Sequence, residues 1–126
     1  MEYTNKVLEI FQNPKNIGEI KDADAIGKVG NPTCGDLMWL YLKFEDINGN
    51  NKIIKDAKVK TFGCVAAVAT SSILTEMIIG KTLDDAKKIT KEDIVNELGG
   101  LPKPKIHCSL LALDALKDAI KNYEQK

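Results

Sequence analysis

Three cysteines, one histidine and one nearby aspartate give this 126-residue chain the means to bind a metal or to move sulfur. Cys34 lies in Pro32-Thr33-Cys34-Gly35-Asp36, Cys64 follows Phe62-Gly63, and Cys108 follows His107, the single histidine. An odd number of thiols cannot be fully paired within one chain. The absence of a Cys-x-x-Cys pair argues against a zinc ribbon, a thioredoxin-type redox site and a bacterial ferredoxin. Three thiolates with the Asp36 carboxylate or the His107 imidazole would instead complete a four-ligand shell suited to zinc or to an iron-sulfur cluster. Each residue also has a plainer reading: Cys64, beside Val65-Ala66-Ala67, as a small buried apolar residue, Asp36 as a turn former and His107 as a helix cap. Lys105, two residues before His107 in what reads as an extended segment, would face the same side and bring a cation to the thiols.

Elements far apart in sequence have to deliver these side chains to one place. Thr4 is suited to cap a short helix with apolar residues Val7, Leu8, Ile10 and Phe11, which Asn13-Pro14 ends. From Asn13 to Gly35 the chain is rich in Gly, Pro, Asn and Asp and reads as a mobile loop, with a short strand at Ala25 to Val29. Leu37 to Phe44 alternates Met38, Leu40, Leu42 and Phe44 on one side. An Asn48-Gly49 turn follows, and Ile53 to Thr61 sets Ala57, Val59 and Thr61 against Lys58 and Lys60, so a hairpin with one buried face is expected. A helix over Val65 to Ile79 closes at Gly80, Thr82-Leu83-Asp84-Asp85 and Thr90-Lys91-Glu92-Asp93 read as capping patterns for two more, and Gly99-Gly100 stops the second. A Pro-rich link, Leu101 to Lys105, leads to a last helix with the stripe Leu113, Leu116, Ile120 and Tyr123.

In this layout Cys34 enters the first hairpin strand, Cys64 turns from the second strand into a helix, and Cys108 starts the last helix. Helices covering one face of the sheet would bring all three to one end of the domain. Helix N-termini are expected to lower the pKa of Cys64 and Cys108. Gly35 and Gly63 would leave backbone N–H groups open to a cluster's sulfur atoms, or serve turn geometry alone.

Composition narrows the partners. The chain is 44% hydrophobic and 29% charged, and its 18 basic residues balance 18 acidic ones, which gives no basic excess for nucleic acid. The lysines between Lys52 and Lys60 read as the wet side of a strand. No apolar run approaches the roughly 20 residues of a membrane helix, and the N-terminus lacks a signal peptide's apolar stretch. A single domain over residues 1–126 in a reducing cytoplasm is the expectation, where several thiols signify metal or catalysis more often than crosslinks.

At five ordered motifs the chain resembles the IscU-type iron-sulfur cluster assembly scaffolds, which also form the N-terminal domain of NifU. They are Pro32-Thr33-Cys34-Gly35-Asp36, Lys60-Thr61-Phe62-Gly63-Cys64, Ser71-Ser72 with Thr75-Glu76, Gly80-Lys81-Thr82, and Lys105-Ile106-His107-Cys108-Ser109, preceded by Tyr3 and Asn13-Pro14-Lys15-Asn16-Ile17-Gly18. The resemblance implies an α+β fold, a three-stranded antiparallel sheet covered on one face by helices as a two-layer sandwich of the SufE/NifU kind. It implies a scaffold rather than a turnover enzyme, on which a [2Fe-2S] cluster is built from iron and sulfur and then passed on. Cys34, Cys64 and Cys108 are the implied thiolates, Asp36 or His107 the fourth ligand, and Cys108 the sulfur acceptor. The implied partners are a cysteine desulfurase and apo iron-sulfur proteins. An Hsp70-type chaperone is a further one, although its usual recognition stretch Leu-Pro-Pro-Val-Lys reads Leu101-Pro102-Lys103-Pro104-Lys105 here. Val65 stands where the family usually has glycine, and a stand-alone scaffold, monomeric or homodimeric, is expected. The alternative is a module that binds zinc permanently or accepts sulfur without building clusters.

Overall fold

The computed structural model describes residues 2–31, 36–48 and 51–125. Helix α1 (Asn5–Gln12) precedes strands β1 (Ala25–Asn31), β2 (Asp36–Asn48) and β3 (Asn51–Phe62). Helices α2 (Val65–Ile78), α3 (Leu83–Lys87), α4 (Lys91–Glu97) and α5 (His107–Glu124) follow, with a 3-10 turn at Lys103–Lys105 before α5. The strands form one antiparallel sheet in the order β1-β2-β3. The helices pack on one face, so the architecture is the expected α+β sandwich. The Asn48-Gly49 turn and the Pro32–Gly35 stretch with Cys34 fall wholly or partly outside the described residues.

Alternation decides which face of the sheet is buried. Met38, Leu40, Leu42 and Phe44 of β2 all point under the helices and are buried, as expected. On β3 the buried residues are Ile54, Ala57 and Val59, a spacing that strict alternation forbids. The register explains it: Lys43 pairs with Asp56 but Phe44 with Ile54, leaving Lys55 as the extra residue of a β-bulge that restores the phase.

Helix α5 lies close on β1 because Gly27 lets it. A Cβ at Gly27 would stand 2.0 Å from the carbonyl oxygen of Ala115 and 2.7 Å from the amide nitrogen of Ala119, so any side chain there would push the helix off the sheet. The same helix serves β1's open edge: the Lys28 amide donates to Asp118 Oδ2 (2.9 Å), and Asn122 Nδ2 donates to the Ile26 carbonyl (3.0 Å). The opposite edge, β3, is covered by main chain. Val59 N–H donates to Asn16 O (2.9 Å), Gly18 N–H to Val59 O (2.8 Å) and Ile54 N–H to Lys81 O (2.9 Å). Both edges are thereby closed to further strand pairing.

These bonds correct one expectation: residues 15–18 are not a loose loop. The Lys15 amide donates to Ser72 Oγ (2.9 Å), Ser72 Oγ donates to Lys15 O (3.0 Å), and Asn16 Nδ2 donates to Thr75 Oγ1 (2.9 Å). Strand β1 also runs on to Asn31, beyond the expected Val29. Caps behave largely as the sequence suggests. Thr4 and Thr82 accept the amides of Val7 and Asp85, and Thr90 with Asp93 forms a reciprocal capping box. Of the α1 stripe, Val7 and Ile10 are buried whereas Leu8 and Phe11 stay exposed.

Candidate metal centre

Three element ends meet at one end of the sheet. Asp36 is the first residue of β2 and points to the same face as Met38 and Leu40, so its carboxylate is carried under the helices and only 4% of the residue is exposed. Cys64 is the N-cap of α2, reached by the chain as it leaves β3 through Gly63. Its Sγ makes no capping bond to the helix and lies instead 3.7 Å from Cys108 Sγ. His107 and Cys108 open α5. Four of the five expected ligands thus converge, and Cys34 lies outside the described residues.

Cys108 is the hub. Its Sγ is 3.8 Å from Asp36 Oδ2 and 3.7 Å from His107 Nε2, and His107 Nε2 is 3.9 Å from Asp36 Oδ2. Donor atoms of Asp36, His107 and Cys108 all lie within 4.8 Å of one another. Thiolate, imidazole and carboxylate at such separations fit zinc or thiophilic iron, with Cys64 within reach as a further thiolate. Thr70 ties the two helices behind the site: its hydroxyl donates within α2 to Ala66 O (2.7 Å) and reaches Cys108 O across the interface (3.4 Å).

The glycine before Cys64 has a reason that its position in the sequence does not reveal. A Cβ on Gly63 would stand 2.5 Å from Asp36 Oδ1, 3.0 Å from Asp36 Cγ and 2.9 Å from Ala67 Cβ. The Asp36 carboxylate therefore occupies the space that a side chain at 63 would need. Gly63 was expected to free backbone N–H groups or to make a turn. The structure instead makes it the floor on which the carboxylate rests, 27 residues away in sequence, and no local signal announces that contact.

Electrostatics overturn a second expectation. The helix N-terminus was expected to lower the pKa of Cys108. Burial, with the adjacent Cys64 and then Asp36, pushes the thiol up, and Lys105 opposes this only in part. Cys108 is fully buried, and desolvation is the largest cause opposing its thiolate form. The Lys105 ammonium feels the charge of the site: Cys64 raises its pKa, followed by Tyr3 and Cys108. It does so from a 3-10 turn rather than the extended segment expected. His107 and Cys108, neighbours in the first turn of α5, touch through Nε2 and Sγ. Tyr3, singled out in the sequence only as part of a motif, packs with Cys64 and Leu101 against the buried cluster of Ala66, Ala67 and Cys108, and its phenol pKa is raised by burial and then by Cys64.

Residues 2–126 match the family model for the NifU-like N terminal domain. The chain belongs to that family. Among its relatives is "Iron-sulfur cluster assembly scaffold protein IscU 1" of Archaeoglobus fulgidus, 56% identical over 98% of this chain and 78% of the relative. The IscU scaffold protein of Rickettsia prowazekii is 48% identical over the whole of this chain and 95% of its own length. Both are named as scaffolds and not as enzymes. A solved NifU-like N-terminal structure from Brucella abortus superposes with a TM-score of 0.74 at 24% identity, covering 98% of this chain and 94% of that one, which establishes the likeness of fold. The NifU-like fold thus carries its candidate ligands at the ends of β2, β3 and α5.

Proposed function

We propose that this chain is a scaffold on which a [2Fe-2S] cluster is assembled from iron and desulfurase-derived sulfur and from which it passes to apo-proteins. The convergence of Cys108, His107 and Asp36, with Cys64 in contact with Cys108, supports this reading above all, because it brings soft and hard donors together at one place. A protein that stores a cluster is best served by four thiolates. A protein that must give its cluster away gains from one weaker ligand, since a carboxylate at iron exchanges more readily for an acceptor's thiol. Cys34 supplies the third thiolate in this reading, and Cys108 retains the incoming sulfur. The relatives' names as iron-sulfur scaffolds support the same class of cargo. Among the described residues no helix is long and apolar enough to cross a membrane.

Anaerobic reconstitution with iron and a cysteine desulfurase tests the proposal. Iron and acid-labile sulfide in equal amounts, transferable to an apo-ferredoxin, are expected. Zinc alone, never displaced under those conditions, would overturn it. Asp36→Ala is expected to hold its cluster longer than the parent, and faster loss of the visible absorbance would reject the labile-ligand role of Asp36.

A further inference from the structure

Only Gly63 and Cys64 lie between the end of β3 and the start of α2, and so short a link does not by itself fix how the helix rolls or slides against the strand. The buried alanines of α2, Ala66, Ala67 and Ala69, offer little shape to resist such movement, and apolar packing is non-directional. Hydrogen bonds are directional, and residues 15–18 bring a set of them to α2. The fully buried Ser72 hydroxyl closes a reciprocal pair with Lys15, accepting from its amide (2.9 Å) and donating to its carbonyl (3.0 Å). Almost one turn on, Asn16 Nδ2 donates to the buried Thr75 Oγ1 (2.9 Å), and Lys15 Nζ pairs with Glu76 Oε1 (3.3 Å). The same residues grip β3: Val59 N–H donates to Asn16 O (2.9 Å), and Gly18 N–H donates to Val59 O (2.8 Å).

Asn16 makes this double grip possible. Its φ of 59° is left-handed, alone among the described non-glycine residues, in a region that asparagine enters more readily than most. In that conformation its side chain meets α2 while its carbonyl meets β3. Val59 lies five residues before Cys64, about 16 Å along the strand, and Ser72 eight residues after it, about 12 Å along the helix. Residues 15–18 therefore close a triangle whose other sides are β3 and α2 and whose apex is Cys64.

We propose that residues 15–18 are a strap that fixes the roll and axial position of α2 against β3 and so holds Cys64 beside Cys108, with Asn16 and Ser72 as positioning residues of the metal centre. The inference rests on the proposed function for the identity of the ligands. Cys64 Sγ makes no capping bond to α2, so its place follows from where the helix begins and how it is turned. A helix moves as a rod, and a roll or slide released at Ser72 reaches Cys64 undiminished. A metal ligand has to stand within about 0.2 Å of its bonding distance, so a small movement of α2 is enough to spoil the separation of 3.7 Å from Cys108 Sγ that brings the two thiols to one centre.

The test joins a metal-free measurement to a metal-bound one on the full chain. Residual dipolar couplings of backbone amides report the orientation of α2 relative to the sheet, and added cobalt(II) reports thiolate ligation through its near-ultraviolet charge-transfer absorbance. Ser72→Ala removes the pair with Lys15, and Asn16→Gly removes the bond to Thr75 while keeping the left-handed backbone. In the double variant α2 should be turned against the sheet, cobalt affinity should fall about tenfold or more, and the absorbance should drop toward that of Cys64→Ser. Thr82→Ala removes a helix cap beside Ile53, near the hairpin end of the sheet, and controls for a general loss of stability; its couplings and cobalt absorbance should stay parental. A parental orientation of α2 in the double variant overturns the strap, as does parental cobalt binding with α2 turned, or an equal loss in Thr82→Ala. If circular dichroism shows the double variant unfolded, each single variant is read by the same criteria. Parental absorbance in Cys64→Ser overturns instead the ligand set of the proposed function, and the couplings then decide the strap by themselves.

Discussion

Replacing Gly63 by alanine tests whether the Asp36 carboxylate is held in place by the absence of a side chain. The added Cβ would lie 2.5 Å from Asp36 Oδ1 and 2.9 Å from Ala67 Cβ, both well inside ordinary contact. Gly63 has no left-handed backbone angle, so space and not conformation is at stake. Asp36 is buried with its Oδ2 near Cys108 Sγ and His107 Nε2, so a displaced carboxylate would alter its geometry toward these candidate ligands. Overpacking of this kind costs about 1–3 kcal/mol, which should appear as a lower urea midpoint for metal-free Gly63→Ala. Zinc affinity should fall about 10–100-fold, as it does when the group orienting a ligand is disturbed. Asp36→Ala removes the atoms in conflict, so adding Gly63→Ala to it should cost less than in the parent, by a coupling of about 0.5–3 kcal/mol. Ala67→Gly relieves the second conflict and separates it from the first. Strict additivity of Gly63→Ala and Asp36→Ala in both stability and zinc titrations would refute the reasoning, as would parental behaviour of the single variant.

Gly27→Ala should be more damaging, about 3 kcal/mol or more, because the obstruction is α5 backbone and not a flexible side chain; thermal melts should show it, with weakened zinc binding since α5 carries His107 and Cys108. Thr4 both caps α1 and donates to Leu98 O at 2.6 Å at the end of α4, so Thr4→Ala should lower stability by about 1–2 kcal/mol in urea unfolding, whereas Thr4→Ser should retain most of it. Folded Cys108 keeps its proton at pH values where an unfolded thiol, titrating near about 8.5, has lost it, so the stability of metal-free protein should decline as pH rises above that point; Cys108→Ala should flatten the decline in urea midpoints.

Much of the fold is legible because each signal is local. Thr4, Thr82 and Thr90 cap the helices they precede, Gly80 and Gly99 take positive φ at helix ends, and one face of β2 reads directly as core. What escapes the sequence is set by contacts between distant segments. Lys55 has nothing in its own neighbourhood to mark it as a bulge. The tether of residues 15–18 depends on Ser72 and Thr75 of α2, and Leu8 and Phe11 stay exposed because α1 buries a narrower stripe than its apolar residues allow. The site divides the same way. Its ligand types are evident from residue identity, whereas the burial of Cys108 and the rest that Gly63 offers Asp36 follow only from the meeting of β2, α2 and α5.

Those two features bear on how a scaffold reconciles assembly with release. In the proposed function, donors arriving from outside meet Cys64 and the partly exposed His107 first, while Asp36 and Cys108 form the floor. A shell made wholly of exposed thiols would load easily but would also exchange sulfur with any passing thiol. One made wholly of buried thiols would keep its cargo and admit none. Placing a thiol with high proton affinity at the floor makes its occupation depend on a metal or a sulfur atom that displaces the proton. Under the proposed function the carboxylate beside it would keep one position weak toward iron. Retention then comes from the buried thiol and lability from the carboxylate, and the Gly63 contact ties the second to the backbone at the point where α2 begins.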